Sequence, residues 1–411
     1  MGKRSLLCLL PLVLSAGLLA GCASVPMTAP GATPETTPEN PSGPPEDALL
    51  SQMTLHEKVG QLFLVRPDAL EPALSQDRID DADVAGVTQV TDSMKDFLAR
   101  YPVGGVVLFG KNITHGEQLR SLTEQLQQAS KIPLLIGADE EGGTVARLAN
   151  SPALNLPRYE SAAAVGREGP EAAQEMAVTI GTYLSDYGIT LDFAPVADVN
   201  TNPDNPIIGD RAFSSEPQAA ADCVAAAVRG FGQAGVLCCL KHFPGHGDTA
   251  QDSHDGAVYT EKTMAELRSC EFLPFQAGIQ AGAPMVMVGH ITAPRAVTGA
   301  DANVPATFSR TLVTDVLRGE LGFSGVIVTD SLSMEAVTET CTPGEAAVQA
   351  LQAGADLLLM PAGLEQAYEE VLAAVEDGRL SEARIDESVE RVLNLKRQVG
   401  LIEESSSRTG G

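Results

Sequence analysis

The chain has 411 residues, a hydrophobic fraction of 44% and a formal net charge of −27. Its length allows one large or several smaller domains, and its apolar content is enough for a large core. Because an acidic chain without a run of Lys or Arg is repelled by phosphate backbones and anionic headgroups, nucleic acid is excluded as an expected partner.

The N-terminus resembles a secretory signal that ends in a lipidation site. Lys3 and Arg4 precede an apolar stretch that is too short for a helix that spans a membrane. Residues 19–22, Leu-Ala-Gly-Cys, resemble the lipobox of bacterial lipoproteins. We therefore expect residues 1–21 to be removed and Cys22 to be lipidated, which predicts an extracytoplasmic protein anchored to the cell membrane. An ordinary signal peptide with a chance cysteine is the alternative.

Three further regions follow from composition. Residues 22–46 hold seven prolines and little that could be buried, which predicts a semi-extended tether with a reach of about 70 Å. Residues 47–402 carry the periodic apolar pattern of a single catalytic domain, and residues 403–411 are predicted to be a disordered tail.

Short apolar runs alternate with amphipathic stretches along the predicted domain. The runs lie at 61–66, 103–109, 132–138, 189–195, 236–242, 285–290, 325–330 and 355–361. The stretches lie at 116–130, 168–187, 216–234, 262–282 and 309–321, with a closing helix at 382–400. Eight such strands predict a (β/α)8 barrel. A doubly wound open sheet is the alternative, but it would place a glycine-rich loop after the first strand, where the sequence reads "RPDALEP".

Polar residues cluster where the predicted strands end. They are Asp139, Asp192, Asp198, Lys241, His242, His290 and Asp330. In barrels of this kind the active site forms at the C-terminal ends of the strands, so these side chains are expected to meet there.

Asp330 ends the seventh predicted strand, "GVIVTD". A carboxylate near the mouth of a barrel can attack an electrophilic carbon or stabilise a developing cation. The alternative is a cap for the following helix, a role that Asp favours. This residue alone leaves both interpretations open.

Two other stretches carry candidate ligand contacts. In "GADEEGGTVARL", 137–148, Asp139 and Arg147 are placed either to hydrogen-bond a ligand or to form an internal ion pair. The long loop "NPDNPIIGDRAFS", 202–214, has Arg211 as its only cation, which makes this side chain a candidate contact.

The stretch "KHFPGHGDTAQDSH", 241–254, holds three of the six histidines of the chain. The side chains that could ligate zinc are His242, His246, Asp248, Asp252 and His254. Metallohydrolase barrels usually place His-x-His at the first strand, however, and here that strand ends "FLVRPD". The other interpretation is acid–base chemistry. Asp252 and His254 are two residues apart, so both point the same way in an extended loop, and the carboxylate would favour and orient the imidazolium.

Five stretches together resemble glycoside hydrolase family 3. They are "KHFPGHGDTAQDSH", "DEEGGTVARL", "DFAPVADVN", "IIGDRAFS" and "VTDSLSM", and the resemblance runs from about residue 50 to 400. It is closest to bacterial β-N-acetylglucosaminidases of the cell-wall recycling type. The family implies a retaining exo-enzyme that removes terminal N-acetylglucosamine from peptidoglycan fragments or chitooligosaccharides, without a metal or cofactor.

The resemblance also implies roles for individual residues. Asp330 would be the nucleophile that forms a glycosyl-enzyme intermediate, and His254 would be the general acid/base, with Asp252 as its partner. The residues implied for the N-acetylglucosamine subsite are Asp139, Arg147, Arg211, Lys241 and His242. His246 would be structural or would support the residues that contact the sugar. The acidic segment 67–95 looks longer than the usual connection of the family, and we expect it to form part of a wall on the leaving-group side.

Other functions stay open at this point. One is a metal-dependent hydrolase that uses the histidine cluster, and another is a non-catalytic sugar-binding lipoprotein. Phosphorolysis is a variant of the main hypothesis, because a histidine acid/base would repel phosphate less than a glutamate would. A monomer is the expected oligomeric state.

Overall fold

The computed structural model describes residues 48–250 and 256–403. The predicted signal, the lipidation site Cys22 and the tether lie outside the described residues, as do the predicted acid/base pair, Asp252 and His254, and all but the first residue of the predicted tail. None of the helices in the described part of the chain is long and apolar enough to cross a membrane.

Eight parallel strands form the central sheet, and each overlaps one of the eight apolar runs. They are β1 Phe63–Val65, β2 Gly105–Leu108, β3 Leu135–Ala138, β4 Leu191–Asp192, β5 Leu237–Phe243, β6 Met285–Val288, β7 Val326–Thr329 and β8 Leu358–Leu359. Within the described residues, two further strand pairs lie outside this sheet: the hairpin of Glu140–Gly142 with Val145–Ala146, and the parallel pair of Val258–Tyr259 with Ile291–Thr292. The apolar pattern therefore predicted every strand of the sheet.

The strands are ordered β7-β6-β5-β4-β3-β2-β1-β8, and the sheet curls into a nearly closed barrel. A single parallel bridge between Val328 and Leu357 joins the two edges. Asp356 supports this seam, because its buried carboxylate accepts a hydrogen bond from the backbone of Ile327 at 2.9 Å. Its charge is compensated by ion pairs with three arginines, Arg318, Arg384 and Arg391.

Helices alternate with the strands. They are α1 Leu55–Gly60, α2 Gln76–Asp80, α3 Asp92–Arg100, α4 Gly116–Ala129, α5 Ala162–Glu168, α6 Pro170–Asp186, α7 Pro217–Ala234, α8 Met264–Ser269, α9 Phe272–Gln280, α10 Glu335–Thr338, α11 Pro343–Ala353, α12 Leu364–Glu376 and α13 Glu382–Gln398. Between β6 and β7, residues Thr311–Glu320 form a π-helix. The alternation confirms the predicted arrangement of strands and helices.

The amphipathic stretch 262–282 does not form one continuous helix, because the chain forms α8 and α9 with a break at Cys270. Pro274 gives the physical reason. In one continuous helix its ring would clash with the carbonyl of Cys270, four residues earlier, whereas in the first turn of a new helix a proline is tolerated.

Two layers of apolar side chains surround the strands. One fills the barrel and includes Leu64, Val107, Leu135, Phe193 and Met287. The other packs the outer face of the sheet against the helices. Burial on both faces explains why the strand sequences are continuously apolar rather than alternating.

Candidate functional site

A cavity of about 360 Å³ lies at the C-terminal ends of the strands. Six residues predicted from the sequence line it: Asp139, Arg147, Arg211, Lys241, His242 and Asp330. They come from loops and strand ends that are far apart in the chain. The structure thus places around one cavity all six described residues that were predicted to act on or bind the sugar. Three other polar residues predicted at the strand ends, Asp192, Asp198 and His290, are buried and do not line it.

Lys241 is the centre of a buried ionic cluster on one wall. Its Nζ lies 2.8 Å from Oδ1 of Asp139 and 2.6 Å from Oε1 of Glu141, and its side chain is only 3% exposed. Burial alone would lower the pKa of Lys241, but the two carboxylates outweigh burial and hold it above its usual range. The ammonium group therefore stays charged at neutral pH and acts as a fixed hydrogen-bond donor.

Two arginines complete this cluster. Arg147 pairs with Oδ2 of Asp139 at 3.2 Å, and Arg211 forms a two-point contact with Glu141. Burial would raise the pKa of both carboxyl groups, but Lys241 and the arginines hold both pKa values below their usual range. The two interpretations of Asp139 and Arg147 are therefore compatible, because they form an ion pair and also line the cavity.

His242 is oriented by Asp198, which is fully buried. Nδ1 of the imidazole lies 2.8 Å from Oδ2 of Asp198, and the backbone N–H of His246 donates to Oδ1 at 2.7 Å. A carboxylate can only accept, so His242 donates from Nδ1 and keeps Nε2 for a ligand. Burial would raise the pKa of Asp198, but the charge and hydrogen bond of His242 lower it.

Lys241 and His242 are neighbours in β5, yet both line the cavity. Consecutive residues of a regular strand point to opposite faces. Here the pairing of β5 with β6 shifts its register between Leu240 and Phe243, so the regular alternation is interrupted at these two residues. Sequence spacing does not encode such an irregularity.

The turn after β5 depends on two glycines. Gly245 has a φ of +129°, which L side chains rarely adopt. A β-carbon on Gly247 would lie 1.9 Å from the carbonyl oxygen of Val199. The close approach of these two loops is thus possible only without a side chain at residue 247.

Asp330 lies on the cavity just after β7, and its Oδ1 accepts a hydrogen bond from the backbone of Ser331 at 2.7 Å. The helix-cap interpretation is wrong. The next helix, α10, begins at Glu335 and has Met334 in the capping position. Asp330 is therefore held at the strand end, where a carboxylate can reach a ligand in the cavity.

Several other cavity residues did not stand out in the sequence. Glu141 follows Asp139 in the quoted "GADEEGG" stretch, and its place at the end of β3 was an available signal. Arg66 directly follows β1, and its Nη1 pairs with Asp80 at 2.6 Å. The guanidinium of Arg66 also stacks on Phe109, 4.6 Å from the ring centre.

The segment 67–95 borders this cavity through Asp80, which also accepts a hydrogen bond from Ser333 at 3.3 Å. The segment folds as a short 3-10 helix, Pro67–Leu70, followed by α2. Asp80 is the last residue of α2, so the fold of the segment brings its carboxylate to the rim.

The zinc hypothesis cannot be built from the described residues alone. Within 48–250 and 256–403, no group of three or more His, Cys, Asp or Glu side chains has the arrangement of a metal site. Two of the ligands in that hypothesis, Asp252 and His254, lie outside these ranges. His242 and His246, which are described, instead make hydrogen bonds to Asp198 and Thr249.

Comparisons with known proteins agree with this geometry. Residues 54–395 match the sequence model of a family described as "Glycosyl hydrolase family 3 N terminal domain". Beta-hexosaminidase A of Pseudoalteromonas piscicida is 36% identical over 335 residues, which are 76% of this chain and 56% of that protein. The beta-hexosaminidase of Stenotrophomonas maltophilia is 38% identical over 282 residues, which cover 67% of this chain and 81% of that protein.

A solved structure is similar as well. The glycoside hydrolase family 3 β-N-acetylglucosaminidase of a Paenibacillus species has a TM-score of 0.77 and 37% sequence identity. The match covers 86% of this chain but 65% of that one, so this chain spans only part of that protein, as it does of the Pseudoalteromonas relative. With 54–395 matched by the family and the cavity at the strand ends, the chain belongs to glycosyl hydrolase family 3.

Proposed function

We propose that the protein is a retaining exo-β-N-acetylglucosaminidase. The observation that carries this proposal is the position of Asp330 on the same small cavity as the ionic cluster of Asp139, Lys241 and Glu141. A nucleophilic carboxylate is one of the two catalytic groups that a retaining glycosidase uses, and the charged hydrogen-bonding groups can hold the sugar beside it. The names of the β-hexosaminidase and β-N-acetylglucosaminidase relatives support N-acetylglucosamine as the sugar.

The proposed mechanism has two steps. Asp330 attacks the anomeric carbon while His254 donates a proton to the departing oxygen, which leaves a covalent glycosyl-Asp330 ester and the free aglycone alcohol. His254 then removes a proton from water, which attacks the same carbon and releases Asp330 and the sugar. Asp252 orients the imidazole and stabilises its charged form. The family resemblance is the support for the roles of Asp252 and His254.

The cavity supports a pocket for one terminal sugar. At about 360 Å³ it has the size of a small-molecule site. Asp139, Arg147, Arg211, Lys241 and His242 would hold the hydroxyl and acetamide groups. Because Lys241 and the two carboxylates of the cluster stay charged at neutral pH, these contacts need no proton transfer on binding.

The substrates that we propose are peptidoglycan fragments or chitooligosaccharides with a terminal non-reducing N-acetylglucosamine. We further propose that residues 47–402 act as a single catalytic domain, tethered by residues 22–46 to a lipid on Cys22. Membrane fractionation tests the anchor: Cys22→Ser should move the protein from the membrane to the soluble fraction. A variant that stays in the membrane fraction contradicts lipidation at Cys22.

The nucleophile is tested with an aryl β-N-acetylglucosaminide. Asp330→Ala should reduce kcat by at least about 1,000-fold, because the covalent step loses its nucleophile. Asp222→Ala, at an exposed position on α7, is the matched control and should keep wild-type activity. Activity of Asp330→Ala within tenfold of the wild type would remove Asp330 from this role.

The same assay separates the remaining functions. We expect a β-N-acetylglucosaminide to be cleaved faster than a galactosaminide or a plain glucoside, and the rate to be the same with and without phosphate. A sugar 1-phosphate as product would instead indicate phosphorolysis. Loss of activity on chelation would indicate a metal-dependent hydrolase, and binding of every glycoside without turnover would indicate a sugar-binding protein.

A further inference from the structure

His246 is buried on the wall of the cavity, and the proposed mechanism gives it no task. Its side chain and backbone together are only 2% exposed, and it lines the cavity with Asp330 and His242. The rings of His242 and His246 meet edge to face, with their centres 5.8 Å apart. A titratable ring at this place is close enough to the proposed reaction to touch the sugar.

Hydrogen bonds of the backbone and of ring atom Nδ1 fix the position of His246. The backbone N–H of His246 donates to Oδ1 of Asp198 at 2.7 Å, and the backbone carbonyl oxygen of His246 accepts from Nδ2 of Asn205 at 2.8 Å. Nδ1 lies 2.7 Å from the hydroxyl of Thr249, which is itself buried. These contacts use three of the four polar atoms of His246 and fix the direction of the fourth.

The fourth atom, Nε2, is buried and has no hydrogen-bond partner among residues 48–250 and 256–403. Buried polar atoms in folded proteins are nearly always paired, so an unpaired one on the wall of a ligand cavity points to a contact that the ligand completes. Burial and the nearby His242 lower the pKa of His246, which makes the ring neutral at neutral pH. A neutral imidazole carries one proton. If Nδ1 holds it and donates to Thr249, Nε2 is an acceptor; if Nδ1 accepts from Thr249, Nε2 is a donor.

We propose that Nε2 of His246 hydrogen-bonds a hydroxyl or acetamide group of the sugar and positions it for attack by Asp330. Both kinds of group can donate and accept, so they match either tautomer of the ring. The inference rests on the proposed function, because it takes the ligand of this cavity to be an N-acetylglucosaminide. It differs from the expectation that His246 is structural or acts only through other residues.

Two substitutions separate a sugar contact from a structural role. The amide of an asparagine can take the place of Nδ1 and keep the bond to Thr249, but it leaves no polar atom at Nε2. The amide of a glutamine reaches the place of Nε2 instead. His246→Asn should therefore lower kcat/KM for an aryl β-N-acetylglucosaminide by about tenfold or more, whereas His246→Gln should recover at least threefold over His246→Asn.

The matched control is His115→Asn. His115 is exposed and uses its Nδ1 to cap α4, away from the cavity, and asparagine caps helices well. This variant should keep wild-type activity. A purely structural His246 predicts the opposite order at residue 246, with the asparagine variant active and the glutamine variant impaired, and that order overturns the proposal.

Calorimetry measures the binding of N-acetylglucosamine without any turnover. It therefore distinguishes a failure of the inference about His246 from a failure of the proposed function. If the wild type cleaves the glycoside but His246→Asn matches it in activity and affinity, the inference about His246 fails alone. If the wild type cleaves no glycoside, the proposed function fails, and the affinity of the two proteins still tests His246. Should the variants not fold, a crystal structure of the wild type with N-acetylglucosamine decides. A sugar atom within about 3.2 Å of Nε2 supports the contact, and a longer distance overturns it.

Discussion

Arg211 binds Glu141 through two parallel hydrogen bonds, from Nε to Oε2 at 2.8 Å and from Nη2 to Oε1 at 2.8 Å. The same carboxylate pairs with Lys241 at 2.6 Å. Glu141 follows β3, Arg211 follows β4 and Lys241 lies in β5. One buried carboxylate thus ties together the ends of three neighbouring strands at the cavity.

Arg211→Lys should impair the site although it keeps the charge. An ammonium group cannot reproduce the planar two-point contact with Glu141. We expect kcat/KM for an aryl β-N-acetylglucosaminide to fall by at least about tenfold and the free energy of unfolding to fall by about 1 to 2 kcal/mol. Steady-state kinetics and urea unfolding measure the two effects.

The chain offers a matched control for this substitution. Arg268 forms the same kind of two-point contact with Glu320, but on the surface, where its side chain is 50% exposed. Arg268→Lys should leave activity unchanged and alter stability by less than about 0.5 kcal/mol. Equal activity of the two variants would show that the geometry of Arg211 has no importance for the site.

Asp198→Asn should lower both stability and activity. Asp198 accepts hydrogen bonds from the backbone N–H groups of His242 and His246 and from Nδ1 of His242. An asparagine has one acceptor oxygen, and its NH2 group would face donors. We expect about 2 kcal/mol less free energy of unfolding and at least a tenfold lower kcat/KM, because His242 loses its orientation.

Urea unfolding and kinetics compare Asp198→Asn with the control Asp204→Asn, a substitution at an exposed position that should behave like the wild type.

The contribution of Asp198 to stability should also depend on pH. Because the folded protein holds the pKa of Asp198 below its ordinary value of 3.8, the stability from this carboxylate is present above that value and is lost as the pH falls through the lower, folded-state pKa. An Asp198→Asn variant with wild-type stability at neutral pH contradicts this account.

Lys396→Met should stabilise the protein at pH 6. Lys396 is fully buried in α13 and donates to the side chain of Gln61. Burial lowers its pKa from 10.5 to about 7. At pH 6 the folded state therefore holds a buried charge with a neutral partner. Its removal should raise the free energy of unfolding by about 2 kcal/mol, after the loss of one hydrogen bond to Gln61.

The stabilisation of the protein by Lys396→Met should be lost as the pH rises. Between about pH 7 and 10.5 the unfolded chain binds the proton and the folded protein does not, so the stability of the wild type increases by up to about 1.4 kcal/mol per pH unit. Lys396→Met should lack this increase, whereas Lys95→Met, at an exposed lysine, should keep it. Parallel stability curves for the wild type and Lys396→Met from pH 6 to 10 would refute the prediction.

Some features of the site were predictable and others were not. Asp139, Lys241, His242 and Asp330 were recognisable because a parallel barrel brings the C-terminal ends of its strands to one face, so position in a strand is enough. The position of Glu141 close to the end of β3 was an available signal, but its partner was not recognisable. Its pairing with Arg211, 70 residues away, depends on how two loops pack.

The sequence by itself determined the barrel, because strands buried on both faces must be continuously apolar and that pattern occurs eight times. It also determined which ends of the strands carry the polar residues. Only the tertiary structure decided which polar residues pair and which atoms remain for a ligand. The irregular register that brings Lys241 and His242 to one cavity and the buried Nε2 of His246 both arise from packing between distant segments, which no local pattern of residues encodes.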